Sequence, residues 1–382
     1  MTQLYHPPLP TLQLVWDSTA LRKLMTCPRY YKLSQLEGWS SKSESLDLQF
    51  GIFLQKAIED YHNMRNAGAL HQEALRDCLH TILCDTATPC TEQEYDPWLG
   101  QVSAPFTYFG GAYVTRWRCQ GLEPYKNEKG NKAKCPYSHK GKWQLGSAPP
   151  SCPECGSDTE EANEWLPENA TKNRYTLLFA VCAILDHINE GHFRVATLDD
   201  GTAIVEANRI FPAGVHTEDG YDFLFSVNLD EVVEFGEELW VLDNKTTGKA
   251  LGSWYYRQFS PDVQVDLYDI AGNMLLGERG TEGVLIRAIQ STAEGAEIGL
   301  MPFRKVDEQR EETLRDFQWW IKQAERFARE NYWPTQTSHC ERCSFNAVCS
   351  APPARRQNIL EEHFTKRYWN PLTRDATKEK AQ

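Results

Sequence analysis

The chain of 382 residues carries 53 acidic against 40 basic side chains, a formal net charge of −13. Such a surface repels nucleic acid, which excludes a general nucleic-acid coat and confines any such contact to a local basic groove. The longest apolar run, Leu177 to Leu185, is too short to span a bilayer, and no charged-then-apolar leader precedes it, so the expected setting is soluble, intracellular and cytoplasmic.

In that setting the 12 cysteines point to metal ligation rather than to disulfides. The length allows a full core and two or three structural units.

In chain order, residues 1–13 read as a loose, proline-bearing leader. Asp17 and Ser18 then cap a helix running through Leu21 and Leu24 to Cys27-Pro28. Arg29-Tyr30-Tyr31-Lys32 has two readings: a surface that stacks bases and neutralises phosphates, or a partly buried helix end with snorkelling charges. Phe50 to Met64 places Phe50, Leu54, Ala57, Ile58 and Tyr61 at helical spacing, with Gln55, Glu59 and His62 on or near another face, and a second helix covers about Gln72 to Cys84.

From about Tyr95 to Glu164 the composition turns to Gly, Pro, Lys, Trp and Cys, and no long periodic segment is expected. Cys152-Pro-Glu-Cys155-Gly is half of a zinc knuckle. Cys119 and Cys135 are the natural second half, with His139 as a substitute for either, and the expected result is a small zinc-bound structural insertion. Of the remaining cysteines, Cys78, Cys84 and Cys90 fit no site, and Cys182 reads as a small core residue.

Helical spacing returns over Glu168 to Asn189, followed by strands over Phe193 to Leu198 and Thr202 to Phe211; Glu206 is an acid in the second of these. Tyr221 to Gly248 then reads as two strands joined at Glu234-Phe235-Gly236-Glu237-Glu238, where Gly236 supplies the positive φ of a short hairpin loop. Asp230 and Asp243 lie equally far from the turn, so a regular hairpin sets them opposite each other. Alternation puts Asp243 and Lys245 on one face and Trp240, Leu242 and Asn244 on the other. Two carboxylates about 5 Å apart repel by roughly 3 kcal/mol at an effective dielectric of about 20, which a shared divalent cation removes.

Beyond the hairpin, Pro261 to Leu276 reads as a helix that makes Gln264 and Tyr268 neighbours at four-residue spacing. Val284 to Ile289 reads as a strand and Asp307 to Glu330 as a long amphipathic helix. Cys340-Glu-Arg-Cys343-Ser-Phe-Asn-Ala-Val-Cys349 forms a three-thiolate cradle one ligand short of a closed site. The last dozen residues read as a mobile tail.

This order of motifs resembles the PD-(D/E)XK nuclease superfamily, and within it the iron-sulfur branch that includes Cas4 and the AddB nuclease domain. The resemblance implies a restriction-endonuclease-like α/β fold, a mixed β-sheet flanked by helices with a C-terminal iron-sulfur staple. It assigns Cys27 as the fourth ligand that completes Cys340, Cys343 and Cys349 around a 4Fe-4S cluster. It matches Asp230 to the first metal-binding acid, Asp243-Asn244-Lys245 to the (D/E)-x-K element, and Gln264 and Tyr268 to a Q-x3-Y signature on the DNA-binding side. Where the branch often has histidine, Phe50 to Glu59 has Gln55, which can coordinate through its carbonyl oxygen.

The implied division is 1–94 for the N-terminal helical part, 95–165 for the insertion, 166–335 for the nuclease core and 336–382 for the cysteine segment and tail. The implied activity is hydrolysis of DNA, on single strands or ends, in recombination, repair or phage or CRISPR-type processing, with a recombination or helicase protein as partner. Mg²⁺ or Mn²⁺ held by Asp230, Asp243, Asn244 and Gln55 serves the chemistry, and Lys245 orients the attacking water or stabilises charge on phosphorus. A rival reading keeps the fold and cluster in a DNA-end-binding or scaffold protein with little catalysis.

Overall fold

The computed structural model describes residues 12–42, 46–86, 111–121, 125–126, 130–138, 144–167, 171–198, 201, 203–292, 294–372 and 375–377. The chain divides into two compact units. The first comprises Met1–Gly51, Ala183–Gln290 and Glu297–Gln382, and the second Ile52–Cys182 with Ser291–Ala296. Among the described residues no helix is long and apolar enough to cross a membrane.

The first unit is built on a seven-stranded mixed sheet. In chain order its elements are β1 (Val15–Trp16), α1 (Ser18–Thr26), β2 (Arg194–Val195), β3 (Val205–His216), β4 (Asp222–Phe235), β5 (Glu238–Thr247), α2 (Val263–Leu276), β6 (Gly283–Thr292), β7 (Gly295–Arg304) and α3 (Asp307–Arg329). The path β1-β4-β5-β6-β7 forms the sheet, with β2 and β3 also pairing β4. β1 runs parallel to β4 and β6 parallel to β5, while β2, β3 and β5 are antiparallel to β4. This is the mixed sheet with flanking helices that the sequence implies.

The hydrophobic pattern explains the position of β4. Phe223, Phe225, Val227, Leu229, Val232 and Val233 are all buried, as a strand covered on both faces requires. β4 and β5 close through a two-residue turn in which Gly236 takes φ +68°. With glycine at the first central position the turn matches the twist of the strands and keeps the register regular.

α2 starts where Asp262 accepts hydrogen bonds from the amides of Gln264 (2.9 Å) and Val265 (3.2 Å), two residues later than Pro261. It packs very close to β5: a Cβ on Gly272 would lie 2.4 Å from Val241 Cγ2. Glycine there sets the height at which Gln264 and Tyr268, farther up the helix, meet the sheet.

Four local features differ from the sequence reading. The residues after the leader form β1, which buries Trp16 completely. Tyr31 is also fully buried and stacks on Trp16 at 5.2 Å between ring centroids, so this half of the aromatic pair belongs to the core. β7 was not anticipated, because its alternation of Ile, Leu, Met and Phe with Gly, Glu and Pro is weak. Part of the expected tail is ordered, with Tyr368–Asn370 pairing antiparallel to Asp375–Thr377.

The second unit holds most of helix Leu46–Asn66, helix His71–Asp85 and the cysteine-rich region. That region is more regular than its composition implies: strands Gly111–Cys119 and Thr159–Pro167 pair antiparallel over their full length. Their apolar residues fall at both odd and even positions, so a hydrophobicity pattern shows no alternation. Helix Arg174–Asn189 opens at Asn173, whose Oδ1 accepts from the amides of Tyr175 and Thr176. Cys182 is half-buried on it rather than in the core. His139 and Cys90 lie outside the described residues.

Candidate active site

On β4 and β5 Glu231 opposes Leu242, so the next pair from the turn is Asp230 and Asp243. Asp243 is 1% exposed and Asp230 half-buried. Lys245 Nζ lies 2.8 Å from Asp243 Oδ1 and 2.7 Å from Oδ2, and donates to Gln264 Oε1 at 3.0 Å. Gln264 Nε2 donates to the Tyr268 hydroxyl at 3.0 Å, and that hydroxyl donates to Asp230 Oδ1 at 3.1 Å. The Asn244 amide donates to Asp230 Oδ2 at 3.4 Å. One chain of hydrogen bonds therefore runs from Asp243 through Lys245, Gln264 and Tyr268 to Asp230.

The neighbouring face carries a different network. The Asn244 side chain is turned there, accepting from Arg287 Nε at 2.7 Å and donating to Glu231 at 3.3 Å, while Arg287 and Glu231 form a fully buried ion pair. Only the main chain of Asn244 borders the two aspartates. Glu206, held at φ +48° in β3, accepts from Asn228 Nδ2 at 2.5 Å, and its charge acts on Asp230. Gln55 lies on helix Leu46–Asn66, in the second unit.

The carboxyl pair is electrostatically costly. Burial, and after it the charge of Asp243, pushes the Asp230 carboxyl up to about 7. Burial raises Asp243 as well, against the pull of Lys245. Tyr268 is raised well above the usual phenol range by burial and by both carboxylates, so it stays a proton donor. Asp243 Oδ2 is buried with no hydrogen bond among the described residues beyond the Lys245 ion pair. Two opposed oxygen donor groups, one buried and incompletely satisfied and the other half-buried, fit a hard divalent cation.

A pH dependence follows. Between the ordinary value of 3.8 and about 7, native Asp230 holds a proton that the unfolded chain has released, so stability falls as pH rises through this window. Asp230→Asn is expected to flatten that slope and to stabilise the metal-free protein above pH 7 by on the order of 1 kcal/mol, the full shift being discounted for solvent screening. Thermal melting against pH in chelator checks this; equal slopes for both proteins would contradict the assignment of the cost to Asp230.

The cysteines form two groups. In the second unit, ligand sulfurs of Cys119, Cys135, Cys152 and Cys155 all lie within 4.8 Å of one another, with Cys119–Cys155 at 3.4 Å and Cys135–Cys152 at 3.6 Å. In a tetrahedral site with metal–sulfur bonds near 2.3 Å, sulfurs lie roughly 3.8 Å apart. The group can hold a metal, and its tight spacing fits one ion better than a cluster whose thiolates sit on separate irons. Burial pushes Cys135 up to about 12; burial would raise Cys155 too, but hydrogen bonds from Ser157 and the neighbouring thiols hold it at about 7.

In the first unit, Cys27 follows α1 and accepts from the Gln336 amide at 3.5 Å. Burial raises the Cys343 and Cys349 thiols; charges on Cys349, Cys27 and Cys340 add to the first, and charge on Cys27 to the second. Cys27 and the C-terminal segment thus meet across more than 300 residues of sequence, but among the described residues only Cys119, Cys135, Cys152 and Cys155 form a group at metal-binding spacing. Arg29 lies beside Cys349 and partly offsets its charge.

The sequence profile of the PD-(D/E)XK nuclease superfamily matches residues 152–350, just over half of the chain. The chain belongs to the PD-(D/E)XK nuclease superfamily. The match contains β4, β5 and α2, the elements that carry Asp230, Asp243, Lys245, Gln264 and Tyr268. A PD-(D/E)XK nuclease is a metal-dependent enzyme of phosphodiester hydrolysis, which the opposed carboxylates suit. No curated protein matches the chain. A solved structure titled "Crystal structure of SSO0001" is similar at 14% identity over 46% of this chain and 70% of that one, with a TM-score of 0.25.

Several residues around this PD-(D/E)XK site were not singled out from the sequence. Asn228 and Ser226 share the face of Asp230 by period-two alternation, and Asn208 is the register partner of Asn228. That alternation was the available signal. The 2.6 Å hydrogen bond that brings Trp369 to Asp17 near the site left no local signal, Asp17 being legible only as a helix cap.

Proposed function

We propose that the protein is a DNA nuclease of the iron-sulfur branch, acting on single strands or ends in DNA processing. The opposed pair Asp230 and Asp243, tied through Lys245, Gln264 and Tyr268, carries this reading. The two carboxylates and the Asn244 main chain would hold Mg²⁺ or Mn²⁺, which would supply charge neutralisation at the scissile phosphate and polarise a water. The chain's own groups do the positioning. Tyr268 fixes the rotamer of Asp230 by donating to Oδ1, and Gln264 aims the Lys245 ammonium, which with a substrate present is placed to donate to the developing charge on a phosphate oxygen.

Cys119, Cys135, Cys152 and Cys155 bind structural zinc in this reading. Cys27, Cys340, Cys343 and Cys349 hold a 4Fe-4S cluster that ties α1 to the C-terminal segment. Cys349→Ser, purified anaerobically, is expected to lose most of its iron and its visible absorbance while zinc is retained. Full iron content in that variant contradicts the ligand set.

The function is tested by incubating end-labelled single- and double-stranded DNA with wild-type protein and Mg²⁺ or Mn²⁺. Metal-dependent shortening of the labelled strand is expected. An iron-loaded protein that binds ends without cleaving them supports the scaffold reading instead.

A further inference from the structure

Two cavities meet beside the carboxylates, and they share Ser18, Thr19 and Gln264. The larger, about 250 Å³, is lined by Arg22, Lys23 and Tyr30 from α1 and the turn after it. Lys23 Nζ stands 5.7 Å from the centroid of the Tyr30 ring. Arg22 Nη2 lies 2.7 Å from both oxygens of Asp262, the residue that caps α2, so this guanidinium also anchors α1 to the helix that bears Gln264. In a chain with net charge −13, cations at this position mark a local path for an anion.

The second cavity, about 170 Å³, lies on the other side of Gln264. Tyr268, Asn208, Asn228 and Trp369 line it. Such a volume accommodates about ten waters, or a flat heterocycle in their place. Its polar lining is built for recognition: the amide nitrogens of Asn208 and Asn228 are engaged by Ser226 and Glu206, and their carbonyl oxygens make no hydrogen bond among the described residues. Trp369 forms a wall and is held by two links. Its Nε1 donates to Asp17 Oδ2 at 2.6 Å, and the Ser226 hydroxyl donates to the carbonyl of Pro371, two residues on, at 2.9 Å. Asp17 Oδ1 is meanwhile committed to the Ala20 amide at 2.7 Å, so that carboxylate serves the fold.

We infer that the two cavities form the path of a single DNA strand, with Lys23 and Arg22 beside its backbone and one unpaired base seated in the Asn208–Asn228 cavity against Trp369. This rests on reading the hairpin as a nuclease site, since Gln264 and Tyr268 line the base cavity and also touch Lys245 and Asp230. A walled cavity admits a base only after unpairing, whereas an aromatic wall accepts any base face. The geometry therefore selects single strands or frayed ends over intact duplex. Trp369, a positioning residue, comes from a C-terminal segment outside the residues that match the family.

The test measures anisotropy of fluorescein-labelled single-stranded and duplex DNA in the Asp243→Asn background, where binding is read without turnover. Trp369→Ala and Thr19→Trp, the latter filling the cavity from α1, are each expected to weaken single-strand binding about tenfold or more. Trp369→Phe, which keeps a ring but loses the link to Asp17, should stay within about threefold of the parent. Lys23→Ala should lower the slope of log affinity against log salt by about one. Duplex binding, weaker from the start, should not respond to Thr19→Trp. Unchanged single-strand binding in both Trp369→Ala and Thr19→Trp overturns the path, as does an equal loss for duplex. Cleavage by wild-type protein is scored separately. Cleavage with unaltered binding in the variants removes the path and leaves the nuclease reading; binding losses without wild-type cleavage do the reverse.

Discussion

Asp243→Asn is expected to reduce metal-dependent cleavage of DNA by roughly a thousandfold or more, with the fold intact. The carboxylate is 1% exposed and lies one pair beyond Glu231–Leu242, opposite Asp230, which in the proposed reading makes it one of two anionic donors for the cation. An amide of the same shape keeps packing but removes the charge that offsets dehydration of the ion. It also leaves Lys245 without its ion-pair partner, so that Gln264 remains to position the ammonium without the carboxylate. Because burial makes this carboxylate costly in the metal-free protein, the variant should melt no lower than wild type in chelator. Cleavage at the wild-type rate would sink the assignment, whereas a large fall in melting temperature would mean that the loss of activity reports unfolding.

Cys152→Ser should have the largest effect on the second unit. The thiolate lies in a four-sulfur group with its partners at metal-binding spacing, and binding of a structural zinc contributes on the order of 10–16 kcal/mol to folding of small domains. Loss of one ligand is expected to take the zinc content from about one per chain towards none. Hydrogen exchange should then accelerate across strands Gly111–Cys119 and Thr159–Pro167, whose pairing ends at Cys119 and Thr159 beside the site. Iron, which the proposed reading places on Cys27, Cys340, Cys343 and Cys349, should be unchanged. Iron in place of zinc at this group, or undisturbed exchange in those strands, would contradict a structural zinc site.

The hairpin and the long helices were legible because each rests on local regularity, whereas the mixed sheet was implied by the family resemblance. The equal distance of Asp230 and Asp243 from the centre of the Gly236-Glu237 turn needs only the turn and the period of two, and the register follows that count. α3 spans Asp307–Arg329 against an expected Asp307 to Glu330 because its apolar stripe recurs at helical spacing. Strands Gly111–Cys119 and Thr159–Pro167 were missed because their apolar residues do not alternate with polar ones. Tyr31 could not be placed, since an aromatic between two cations looks the same whether it stacks on Trp16 or on a base.

By itself the sequence determined which residues could do chemistry: an acid pair at matched distances from a glycine turn, a lysine two residues beyond one of them, and cysteines in pairs and triplets of ligand spacing. These are short-range properties, set by side-chain type and backbone period. Only the tertiary structure decided how they connect. The closeness of α2 to β5 at Gly272 puts Gln264 and Tyr268 onto Lys245 and Asp230, and a hydrogen bond across 352 positions brings Trp369 to Asp17. Contacts between residues so far apart depend on how whole elements pack, and packing leaves no period in the chain for a reader to find.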